Sequence, residues 1–255
     1  MSLIYIPEKF KKYSPRVIDF LIHEGYFDDV DTIEDKFDNI DDSEFEIIEY
    51  PVKTIGMWMS GGADSSLCAW MLCKHIKDNN LDIQFQPLSV RRGRGWNPIY
   101  AGNVIDFIED NLQFKMKEHI VYYPNKDDQY QREIKEFRDR DVDNFNSRLI
   151  DIMYSGITCN PPDSAGLSKN EERTRDEEAD RPIESWGGFA YYINPFFNIN
   201  KKDVSRMYDE NGLTDKLFPL TRSCEGSDYE TGNYTHHCGK CWWCEERLWA
   251  FGRLV

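Results

Sequence analysis

Two groups of residues have types and spacings that could do chemistry. The first is the run Ser60, Gly61, Gly62, Ala63, Asp64, Ser65, Ser66, which follows the apolar stretch Thr54 to Met59 directly. A glycine pair lets the backbone turn tightly and lets a ligand come close to it. Aspartate and serine are N-cap types, so a helix is expected to open where the loop ends. The free N–H groups of such a helix start attract anions, which makes phosphate the expected ligand. The loop itself contains no lysine, so neutralisation of a bound phosphate is expected to come from amides, the helix dipole and Mg²⁺.

The second group is C-terminal. Cys224, Cys238, Cys241 and Cys244 stand at the spacing C-x13-C-x2-C-x2-C. Four thiolates in a reducing compartment match tetrahedral Zn²⁺. An Fe–S cluster, or a set in which His236 or His237 replaces one cysteine, are the alternatives. A zinc ion with four protein ligands has no open coordination position, so its expected role is to hold the C-terminal tail onto the rest of the fold.

These residues need elements to position them. Thr54–Met59 reads as a buried strand, and the segment "SSLCAWMLCKHIKDNN" reads as a helix ending at an asparagine pair. Cys68 and Cys73 lie inside that helix and read as core. "DIQFQPLSV" is a second strand, "PIYAGNVIDFIEDNL" a helix with proline in its first turn, and "EHIVYY" a third strand. Strands alternating with helices predict a parallel α/β sheet of Rossmann type, flanked by helices. Ligands in such sheets sit at the carboxyl ends of the strands, where the glycine loop falls. Trp242, Trp243 and Trp249 recur along the last helical stretch and read as core or dimer contacts.

Composition sets limits on function. The chain has 255 residues and a net charge of −15, with a sequence pI of about 4.8. That balance disfavours a protein that holds nucleic acid by neutralising its phosphates. No apolar run reaches membrane-spanning length, and "MSLIYIPEKFKKYSPR" lacks the features of a signal peptide, so a cytoplasmic protein is expected. Residues 1–50 read as an acidic, helical extension, and about 163–183 as a charged surface insert in a domain spanning 51–220. Residues 221–255 carry the metal-binding element.

The run S-G-G-x-D-S resembles the PP-loop of the adenine-nucleotide α-hydrolase-like ATP pyrophosphatases. Together with "SC…HCGKCWWCEER" and the preceding "YINPFFNINKKDVSRMYDENGLTDKLFPLTRSC", it resembles the 7-cyano-7-deazaguanine synthase family. The resemblance implies a ligase that cleaves ATP between its α- and β-phosphates with Mg²⁺. Such an enzyme adenylates the carboxylate of a 7-carboxy-7-deazaguanine-like deazapurine, and with ammonia converts it to amide and then nitrile, releasing pyrophosphate. It further implies that Ser60, Asp64 and Ser65 are catalytic within the Ser60–Ser66 loop, and that Asn146, Arg148 and Gly156 lie near the nucleotide and base. Arg91 and Arg92 follow the second strand and would meet phosphate or substrate carboxylate, or else lie solvated on the surface. The chain departs from the family pattern at Glu225, where the family has tyrosine, and in "SVRRGRGWN". Other readings are a sulfurtransferase or tRNA-modifying enzyme, with Cys159 as nucleophile; a relative that joins a deazaguanine acid to another amine; and a nucleotide-sensing module without catalysis.

Overall fold

The computed structural model describes residues 52–91, 96–123, 149–167, 183–186, 190–196 and 198–255. The N-terminal extension, most of the charged insert, and Arg92, Asn146 and Arg148 lie outside the described residues. The described chain forms β1 (Thr54–Trp58), α1 (Ala63–Asp78), β2 (Gln84–Val90), α2 (Asn97–Leu112), β3 (Ile120–Tyr122) and β4 (Ile152–Tyr154). Then follow β5 (Ile183–Trp186), β6 (Ala190–Ile193), α3 (Lys201–Glu210) and α4 (Trp242–Phe251). Short 3₁₀ turns occupy Asp163–Ala165 and Phe218–Leu220.

The strands form one sheet in the order β3-β2-β1-β4-β6-β5. Every pairing is parallel except that of β5 with β6 at the edge. This is the Rossmann-like α/β arrangement expected from the alternating strands and helices. From β1 the chain steps outward to β2 and β3, then returns to place β4 on the other side of β1. The order therefore reverses between β1 and β4, and that switch point opens a crevice at the carboxyl ends of both strands.

The first four residues of β1 are buried, as a central strand with both faces covered requires. On one face Ile55 and Met57 join the main core with Leu67, Leu72, Phe85, Val104 and Ile108 from the neighbouring helices and strand. On the other face Leu88, Ile150 and Met153 form a smaller cluster against Trp58 and Tyr122. Gly56 faces that second cluster, where a Cβ would stand 2.7 Å from the Ile150 side chain. The start of β4 is locked to β1 by Asp151, whose Oδ2 accepts from the backbone N–H groups of Lys53 and Thr54, both at 2.7 Å.

α3 begins with a capping box. Asn200 Oδ1 accepts from the Lys202 N–H at 2.8 Å, and Asp203 Oδ2 accepts from the Asn200 N–H at 3.0 Å. Tyr208 on α3 donates its hydroxyl to the Ala63 carbonyl at 2.9 Å, which ties this helix to the first turn of α1. Among the described residues, no helix is long and apolar enough to cross a membrane.

Candidate active site and metal centre

The glycine loop occupies the carboxyl end of β1 and opens α1, as its sequence predicts. The two glycines serve different needs. Gly61 has φ +74°, and a Cβ on it would stand 2.9 Å from the Ala101 amide nitrogen and 2.7 Å from Tyr100 Cβ. Only glycine suits that conformation and that approach to α2. Gly62 has φ −81°, which any residue adopts. A Cβ there would lie 3.2 Å from Ser60 Oγ and 3.6 Å from the Arg222 carbonyl oxygen, inside the loop's own concavity.

Gly62 is the N-cap of α1, and no side chain caps that helix start. Ser60 Oγ accepts from the Gly62 N–H at 3.2 Å and lies 3.0 Å from Ser65 Oγ. Ser66 turns inward instead, donating its hydroxyl to the Gly62 carbonyl at 2.6 Å.

Asp64 is where the structure adds most. Its Oδ2 lies 2.7 Å from Lys201 Nζ, and the same ammonium lies 3.1 Å from Glu246 Oε2. Lys201 is 2% exposed and Glu246 fully buried. A lysine from the first residue of α3 therefore stands behind the loop, its charge taken up by the two carboxylates. Lysine in a helix's first turn opposes the helix dipole, and here the two carboxylates hold it there. Asp64 Oδ1 is buried without a hydrogen-bond partner.

Across the switch point, Gly156 follows β4. A Cβ on it would stand 2.9 Å from Ser65 Cα and 3.0 Å from the Asp64 carbonyl carbon and oxygen. These are backbone atoms that cannot swing aside. Gly156→Ala should cost about 1–3 kcal/mol, measured as a lower melting temperature of the nucleotide-free protein. An unchanged value would mean that the β4 loop sits further from α1. Ser60 to Ser66 thus form one continuous turn at the end of β1, with Gly156 packed against its Asp64–Ser65 backbone and with Ala63 and Ser66 fully buried. Arg91 does not join them: it is exposed beyond β2, with its guanidinium carbon 5.9 Å from the Tyr123 ring centroid.

Behind the loop lies the cysteine cluster. Arg222 donates its backbone N–H to the Gly61 carbonyl at 2.7 Å, which joins the metal element to the loop. The ligand atoms of Cys224, Cys238, Cys241 and Cys244 all lie within 4.8 Å of one another, and no histidine belongs to the group. Three of the sulfur pairs are separated by 3.5, 3.9 and 4.0 Å. Sulfur–hydrogen contacts among them split the thiols. Hydrogen bonds from Cys241 and Cys244 pull Cys224 far below its ordinary value, and the bond to Cys224 pushes Cys241 up to about 11. A bound cation is what would hold these sulfurs together as thiolates.

The surroundings favour that anionic state. Arg247 is fully buried and donates to the carbonyls of Leu254, Phe218 and Thr221 at 2.7, 3.0 and 3.2 Å. His237 is held down to about 4 by burial and by the positive charges of Arg247 and Arg222, which keeps it neutral.

α4 inverts its expected orientation. Its buried residues are Cys244, Glu246 and Arg247, while Trp242, Trp243 and Trp249 are only partly buried. Trp249 stacks under Lys202, whose Nζ lies 4.9 Å from the ring centroid. Of the two expectations for these tryptophans, core or dimer contacts, their part-exposed placement departs from the first. The inward face of α4 brings Glu246 to Lys201 and sets Arg247 and Phe251 on the Phe218 ring, so buried charges and core apolar contacts share it.

No family model matches the sequence, and no curated protein matches it. Among solved structures, the fold is similar to that of the U34-tRNA thiolase NcsA from Methanococcus maripaludis with its [4Fe-4S] cluster. The TM-score is 0.46 at 12% identity, over 86% of this chain and 76% of that one.

Proposed function

We propose that this chain is a PP-loop ATP pyrophosphatase that adenylates a deazapurine carboxylate of the 7-carboxy-7-deazaguanine type, with ammonia as acceptor and pyrophosphate as leaving group. The observation that carries the reading is the uncapped start of α1 at the β1/β4 switch point, beside a buried lysine and an unpartnered aspartate oxygen. A polyphosphate there meets free amides and the hydroxyls of Ser60 and Ser65, while the Lys201 charge is taken up by Asp64 and Glu246. Adenylation makes the carboxylate oxygen a leaving group, so ammonia can displace AMP to give the amide. A second adenylation, on the amide oxygen, leads to the nitrile. No protein nucleophile is needed; the chain's residues orient phosphate and acid and stabilise developing charge.

Asp64 Oδ1 is the atom suited to Mg²⁺, which when bound supplies charge neutralisation on the phosphates. The cysteines suit zinc. Tetrahedral Zn–S bonds of about 2.3 Å set neighbouring sulfurs roughly 3.8 Å apart, and the four sulfurs here all lie within 4.8 Å of one another. In a four-iron cluster each thiolate binds a different iron, which spreads the sulfurs further.

Pyrophosphate release, assayed with ATP, ammonia and 7-carboxy-7-deazaguanine and followed by mass spectrometry of the product, tests the reading. Gly62→Val is expected to lower release at least about 100-fold by filling the loop, with little change in nucleotide-free melting. ATP should raise the melting temperature of the parent and leave this variant unmoved. Release from Gly62→Val at the parental rate would reduce the loop to a turn. Release that ignores the acid would remove the proposed substrate.

A further inference from the structure

Arg222 carries a guanidinium that is only half used. The residue is 1% exposed. Nη1 donates to the carbonyls of Tyr234 and His236 at 2.9 and 3.0 Å. Nε and Nη2 are buried with no acceptor, and no ion pair among the described residues involves Arg222. These two nitrogens share one edge of the guanidinium and present parallel N–H groups, a fork that matches the two oxygens of a carboxylate or phosphoryl group. Buried donors left unmet are costly, and a buried charge without a counter-charge more so.

The surroundings hold that edge in place. The rings of Trp96, Tyr100 and Tyr234 stand around the guanidinium, with centroids 5.4, 5.7 and 5.5 Å from Cζ. The Tyr100 hydroxyl donates to the Tyr234 carbonyl at 2.7 Å, which joins two of them. Tyr234 closes a run of left-handed backbone, with φ +52° at Gly232, +55° at Asn233 and +68° at Tyr234. That conformation is strained for an aromatic residue, and strain of this kind collects where a ligand is clamped.

The backbone of Arg222 borders the loop, and Tyr100, one of the rings around its guanidinium, stands against Gly61. The Arg222 carbonyl lies 3.6 Å from where a Gly62 Cβ would stand, and its N–H holds Gly61. Trp96 is the N-cap of α2, and like the start of α1 this helix start has no side-chain cap.

We infer that Arg222 is a second anion-binding group of this site: its Nε/Nη2 edge, framed by Trp96, Tyr100 and Tyr234, takes a pair of anionic oxygens. They come either from the pyrophosphate end of the nucleotide or from the carboxylate of the acyl substrate. The inference rests on the reading of the loop as a phosphate site. It gives a strongly acidic chain a dedicated, dehydrated positive fork beside a crevice that otherwise holds the carboxylate of Asp64.

Calorimetric titration of the full-length, metal-loaded protein decides it, with inorganic pyrophosphate, 7-carboxy-7-deazaguanine, and adenosine as the ligand without an anion. Arg222→Gln should weaken one of the two anions roughly 10- to 100-fold while adenosine affinity and metal content hold. Arg222→Lys keeps the charge without the fork and should recover only part. Loss for pyrophosphate assigns the fork to the nucleotide; loss for the acid assigns it to the substrate carboxylate. If Arg222→Gln binds both anions as the parent does, the inference is overturned and the loop reading stands. If the parent itself binds neither ATP nor pyrophosphate, both fall. Should the variants lose metal or fold, the parent decides: the Arg222 Nε–H resonance, assigned through its own side-chain carbons in ¹⁵N-edited spectra, must shift on saturation with the anion. A resonance that stays in place overturns the inference.

Discussion

Lys201→Met should destabilise the protein by about 3–5 kcal/mol, because it removes the one cation between buried Glu246 and partly buried Asp64. Lys201 Nζ lies 2.7 Å from Asp64 and 3.1 Å from Glu246, and methionine fills the same volume without the charge. For a chain of this size the loss is a fall in melting temperature on the order of 10 °C. The double variant Lys201→Met, Glu246→Met should recover part of the loss, since an apolar pair of similar volume replaces half of the broken network. A single variant within about 1 kcal/mol of the parent would show that this ion pair behaves like a surface one and holds nothing in place.

Cys241→Ser should have a larger effect still. Cys241 is the N-cap of α4, and its carbonyl accepts from the N–H groups of Cys244 and Glu245 at 2.8 and 3.0 Å, so this residue both binds and begins the helix. A closed thiolate site contributes its binding free energy to folding, about 10 kcal/mol or more for zinc, against a total domain stability of only about 5–15 kcal/mol. The purified parent should contain one zinc per chain by elemental analysis. The variant should lose that metal and accumulate as insoluble or loosely packed protein. Chelation of the parent should reproduce the defect, and restoring zinc should reverse it. Iron with acid-labile sulfide in the parent would overturn the zinc assignment.

The parts legible in the sequence are those written in local patterns. The glycine pair between an apolar run and N-cap residues announces a strand, a turn and a helix start within a dozen positions, and Thr54–Trp58 and Ala63–Asp78 form there. Cysteine spacing announces the cluster for the same reason. The Asp64–Lys201–Glu246 network was not legible, because its members come from three segments distant in the chain and meet only through α1, α3 and α4. One signal was available: "NINKKD" sets lysines directly after an N-cap asparagine, where the helix dipole disfavours them and an acidic partner must be sought. The orientation of α4 was misread for a related reason. Apolar periodicity identifies the buried face only when that face is wholly apolar, and the buried residues of α4 are Cys244, Glu246 and Arg247. The antiparallel edge formed by β5 and β6 has no such signature, since strands of four residues leave little periodicity to read.

Glu246 sits two residues after a metal ligand and reaches, through Lys201, the aspartate of the phosphate loop. Under the function proposed above, that path predicts that metal and nucleotide act as heterotropic effectors of each other. Whatever factor the bound metal adds to nucleotide affinity by fixing α4, the nucleotide must return to metal affinity by the same factor, since the two routes to the doubly bound state share their end points. Turnover conditions that keep the loop filled would then slow metal loss, and a chain emptied of nucleotide would surrender its metal to chelators more readily.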